Sequence, residues 1–94
     1  YEQLISALGT AQFAHENGDN RMKSEALTRA VSALTALHFG VVGEGGVADA
    51  LRQIYTAARK SVLDSVLHFD PASISHIRAD FIDISRALMP NRAN

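Results

Sequence analysis

Ninety-four residues, 47% hydrophobic and with a net charge of −1, make one small domain whose limited core leaves room for a partner to matter to stability. No block of like charge provides an electrostatic grip on nucleic acid, and the absence of cysteine excludes disulfides and thiolate metal sites, as suits a reducing compartment. No apolar run reaches transmembrane length and no signal peptide is visible, so no membrane insertion is expected.

The chain opens at Tyr1 without a methionine and already in helical periodicity, which reads as a chain trimmed at its N-terminus. Tyr1, Leu4, Ile5, Leu8, Ala11 and His15 form one helical stripe, giving a first helix over about 1–17. Asn17-Gly18 tolerates a left-handed helix ending, and Asp19 or Asn20 can cap a second helix over about 20–39. Its stripe is Leu27, Ala30, Val31, Leu34, Leu37 and His38. A third stripe of Val47, Leu51, Ile54, Tyr55, Ala58, Val62, Val66 and Phe69 predicts a helix over about 46–69. Asp70-Pro71 then ends that run and caps a fourth helix over about 71–89, with the stripe Ile74, Ile77, Phe81, Ile84 and Leu88. No segment alternates like a strand. The expectation is a single all-α domain over residues 1–94, an antiparallel four-helix bundle.

The connection HFGVVGEGGVADA holds four of the six glycines and raises the question of a phosphate-binding loop. Such a loop needs a lysine and a hydroxyl after its glycines, whereas Gly46 is followed by Val47-Ala48-Asp49 and no strand feeds the turn. Glu44 and Asp49 repel an anion. The stretch reads as a pliable helix connection, with Asp49 complementing the dipole of the third helix.

Other chemistry finds little support. His68 with Asp70 and His76 with Asp80 lack the third and fourth convergent ligands of a zinc site, so no metal is expected. His15 and His38 lie on apolar stripes, where a partly buried histidine is the commoner case. Asp80 and Asp83 face away from Ile77, Phe81 and Ile84, and no nucleophile elbow occurs. The chain does not read as an enzyme, and no cofactor is implied.

Apolar residues outside the core stripes are more informative. Leu63 and Leu67 lie far around the third helix from Ala58 and Val62, beside Thr56 and Lys60. Ile82 and Met89 form an off-axis pair on the fourth helix, and Phe13 is a single outlier on the first. Ser24, Thr28, Ser32 and Thr35 add small hydroxyls to one flank of the second helix. Apolar surface with few charges suits protein binding, although helices with two neighbours also need wide apolar stripes.

GGVADALRQIYTAARKSVL followed by FDPASISHIRADFIDISRAL resembles the flagellin export chaperone family, FliS. The pattern of glycine, leucine, a Leu-Tyr-like pair, a small residue and a further apolar pair reads here as Gly46, Leu51, Ile54-Tyr55, Ala58 and Val62-Leu63. Upstream, Tyr1, the Gly18-Asp19 turn and the alanine-rich EALTRAVSALTAL fit the same pattern over nearly the whole chain. Members carry residues before the position of Tyr1, so the resemblance marks the chain as N-terminally truncated. Many also carry a tryptophan near the end of the fourth helix, where this chain has none.

The resemblance implies a cytosolic chaperone that wraps the disordered C-terminal segment of flagellin, blocking premature polymerisation and releasing it for export. Candidate contacts are Leu51, Ile54, Tyr55, Ala58, Val62, Leu63 and Leu67, with Ile82 and Met89 beside them. Export-gate and other flagellar proteins are possible further partners, and the chain is expected as a monomer or weak homodimer. The alternative is a helical interaction or regulatory module that self-associates through the same surface.

Overall fold

A computed structural model describes residues 1–88 of the chain. It contains helices α1 (Glu2–Glu16), α2 (Asn20–Gly40), α3 (Gly46–Leu67) and α4 (Pro71–Leu88). This is the all-α, antiparallel four-helix bundle that the sequence predicts. Paired contacts fix the directions: Tyr1 meets Phe81 while His15 meets Phe69, so α4 runs against α1, and Arg59 reaches Thr35 while Arg52 reaches Val41, so α3 runs against α2.

The turns explain where the helices stop. Gly18 adopts the left-handed region at φ 69°, and the N–H groups of Gly18 and Asp19 donate to the carbonyls of His15 and Ala14. That pair of bonds closes α1 in a Schellman motif. Asp19 at once caps α2, its Oδ1 accepting the Met22 N–H at 3.0 Å. Asp70 caps α4 in the same way, accepting the Ser73 N–H at 3.2 Å, with Pro71 at the first helical position.

The α2–α3 connection is more tethered than its glycines imply. Arg52 forms an ion pair with Asp49 at 3.1 Å and donates to the carbonyls of Val41 and Gly43. One guanidinium on the second turn of α3 thereby holds the incoming backbone.

The core is built from leucine and alanine on the first two helices. Leu4, Ala7, Leu8 and Ala11 of α1 meet Ala26, Leu27, Ala30 and Leu34 of α2, all buried. Small alanines let the two backbones approach, and the leucines supply burial worth about 1.5–3 kcal/mol each. Tyr55, Ala58 and Val62 of α3 and Ile74 and Phe81 of α4 complete the core. At Gly9 a β-carbon would lie 3.2 Å from Arg78 Nε, so the glycine lets α4 lay its guanidinium against α1.

The second pair of helices is held less closely. α3 has its main neighbour in α2 and α4 in α1, while α3 and α4 touch each other least of the adjacent pairs. The molecule measures 40 × 32 × 19 Å, about two helix diameters thick but wider across. Aromatic contacts fasten the loose pair at mid-helix and at its connecting turn. Tyr55 stacks on Phe81 with centroids 6.0 Å apart, and Tyr1 lies 5.7 Å from Phe81. At the α3–α4 turn the Phe69 ring stacks on His15 of α1 at 4.4 Å, with Lys23 Nζ 5.0 Å from its centre.

His15 departs from its place on the predicted apolar stripe: it is exposed and covers Phe69 instead of entering the core. On α3, Val47, Ile54 and Val66 also follow the apolar stripe yet remain substantially exposed.

Candidate protein-binding surface

The apolar arc of α3 is wider than its neighbours can cover, and the surplus gathers at its C-terminal half. Leu63, Val66 and Leu67 are 41%, 46% and 82% exposed. Their i, i+3, i+4 spacing makes them one row on the helix surface. Beneath the row Val62 is fully buried, and Tyr55, Ala58 and Ser65 are buried along the inner face. The inner residues pin the helix, and the outer residues face solvent.

The remaining candidate positions divide along the same line. Ile54 is partly exposed, and Leu51 is half-buried against the core. Tyr55, Ala58 and Val62 lie in the core, where they support the surface from below. Ile82 is half-buried on α4, and Met89 lies outside the described residues. Val66 shares the period of the core stripe, but it joins Leu63 and Leu67 at the surface. Its spacing from Leu63 is the signal that links them.

On α2 the small polar residues face two sides: Thr28 and Ser32 line the trough against α1, and Thr35 meets Arg59 of α3. Thr28 and Thr35 turn their hydroxyls inward, donating to the carbonyls of Ser24 and Val31 at 2.9 Å each. They present methyl groups and little charge, so an approaching apolar segment would displace water without stripping ions.

Two further clefts adjoin α2. One of about 500 Å³ lies beside the glycine loop, where Val41, Val42, Val47, Ala48 and Leu51 line it. The other, about 620 Å³, is an open trough between α1 and α2 that includes Glu2, Ser6, Arg29, Ser32 and Ala33. Neither gathers a reactive constellation. Among the described residues no three His, Asp or Glu side chains converge as a metal cluster, and no buried side-chain polar atom lacks a hydrogen-bond partner. No described helix is long and apolar enough to cross a membrane.

Among the described residues Tyr1 has a strongly raised phenol pKa. Burial, aided by the hydrogen bond between its hydroxyl and that of Tyr55, holds its phenol far above the usual range. The hydroxyl pair closes the aromatic cluster of α1, α3 and α4, which is a structural role.

No curated protein and no solved structure gives a significant match to the chain. A family model does: Flagellar protein FliS matches residues 1–87. The match spans all three turns and nearly all of α4, and it agrees with the resemblance carried by the α3 and α4 sequences. With a helical bundle, an exposed apolar row and a family match over almost its whole length, the chain belongs to the FliS family of flagellar chaperones.

Proposed function

We propose that this chain holds the disordered C-terminal segment of flagellin in the bacterial cytosol, keeping it from polymerising until export. The observation that carries the reading is the exposed row Leu63, Val66 and Leu67 on a helix of a FliS-family chain. A free flagellin segment with an amphipathic sequence has an apolar face that drives assembly. Laying that face against α3 removes it from water and competes with polymerisation. Ordering a flexible chain costs free energy on binding, which offsets part of the gain and leaves the complex releasable.

In this mechanism Leu63, Leu67 and Val66 touch the client directly and Ile54 extends the contact. Leu51 and the buried Tyr55, Ala58 and Val62 hold the platform, while Ile82 of α4 and Met89, outside the described residues, are proposed outer contacts. No bond is made or broken and no cofactor takes part. Handover to the export gate, or shared use by other flagellar proteins, would follow from exchange at the same row.

Calorimetry with the C-terminal segment of flagellin from the same organism tests this. One-to-one binding with a negative heat-capacity change is expected, and Leu63→Asp should weaken it more than about tenfold while the melting curve stays near wild type. A folded chain that does not bind the segment overturns the proposal. Sedimentation over a concentration series separates it from self-association: a dimer that buries this row without engaging flagellin favours the alternative.

A further inference from the structure

The same face of α3 carries a cation without an acidic partner. Arg59 precedes Leu63 by four residues, which places them one above the other at about 6 Å along the helix. Arg59 Nε donates to Thr35 Oγ1 at 3.0 Å, and the Thr35 hydroxyl donates to the Val31 carbonyl at 2.9 Å. Thr35 thus aims the guanidinium across the junction of α2 and α3 and occupies only one of its five N–H donors.

Among the described residues no carboxylate lies within ion-pair distance of Arg59. The acids of its own helix are engaged elsewhere, Asp49 with Arg52 and Asp64 with Lys60. Arg59 instead lines a cleft of about 300 Å³ with Thr35, His38, Phe39, Tyr55 and Thr56, none of them acidic. Phe39 is 81% exposed and supplies an apolar wall.

We propose that this cleft is a carboxylate subsite for the client: an Asp or Glu of an amphipathic flagellin segment, one helical turn from its apolar anchor, pairs with Arg59. The inference rests on the reading that α3 docks flagellin, and it adds what sets the register. Apolar contact along Leu63, Val66 and Leu67 is non-directional and tolerates sliding, whereas a planar fork accepts a carboxylate in one orientation. An exposed ion pair contributes little, but a segment lying over Phe39 would shield this one from water. A charge-assisted pair of that kind corresponds to about a tenfold or greater change in affinity.

The test is a double-mutant cycle by calorimetry. Wild type, Arg59→Ala and Arg59→Lys are titrated with the flagellin C-terminal segment and with versions carrying each Asp or Glu singly changed to Asn or Gln. Expected are about tenfold weaker binding for Arg59→Ala, partial recovery for Arg59→Lys, and one client position whose amide change has no further effect in Arg59→Ala. Wild-type affinity in Arg59→Ala, or additive losses at every client position, overturns the subsite. If that happens while Leu63→Asp still weakens binding, docking on α3 stands and only the subsite falls. If wild type fails to bind at all, both fall.

Discussion

The two halves of the bundle solve different problems. α1 and α2 pack through alanines and leucines that are almost all buried, joined by a turn in which Gly18 closes one helix and Asp19 opens the next. α3 and α4 bury fewer residues, touch each other lightly and are fastened by the Tyr55–Phe81 stack at mid-helix and by Phe69 of their connecting turn, which stacks on His15 of α1. The tight pair carries the stability, and the loose pair leaves an apolar helix face uncovered. A helix with its full set of neighbours would have no Leu63–Leu67 row to offer.

That division can be broken most sharply in the tight pair. Leu27→Ala should cost about 2–5 kcal/mol of unfolding free energy in a urea titration, because a fully buried leucine leaves a cavity in a rigid core. Asp19→Ala should cost about 1 kcal/mol by the same measurement, from the lost α2 cap.

A third prediction concerns the aromatic clamp. The folded state holds the Tyr1 phenol neutral well above its ordinary value, so this contribution is fully present below about pH 10 and is lost as pH rises through the folded value. Melting temperatures measured from neutral to strongly alkaline pH should therefore fall less steeply for Tyr1→Phe than for wild type. Equal slopes would remove the hydroxyl pair from the account. The smallest effect belongs to the loose pair: Leu67→Ser should shift stability by less than about 0.5 kcal/mol, since its side chain is mostly in water already. A large loss there would place Leu67 in the core and dissolve the contrast between halves.

The features legible in the sequence are those set by near neighbours. Asp19 and Asp70 are recognisable as caps because capping is decided within three residues, and the helical periods delineate four elements. Exposure along α3 was harder to read. Val62 and Val66 share one apolar stripe, yet one is sealed and the other open, because coverage depends on how closely α2 and α4 approach. His15 shares the period of the α1 stripe and yet lies outside the core. The tether from Arg52 to the backbone of Val41 and Gly43 was invisible to periodicity, since it joins positions in different elements through a side-chain fork. Leu63 and Leu67 were legible as off-axis residues, but only the packing distinguishes a surplus face from a second core face.

The most direct measurement is a methyl NMR titration of the chain with the flagellin C-terminal segment. The account predicts that the methyl signals of Leu63, Val66 and Leu67 shift on binding while those of Leu4 and Leu34, sealed in the tight pair, stay in place. Perturbation of Ala33 and Ala36 along the α1–α2 trough, with the α3 methyls silent, would contradict it.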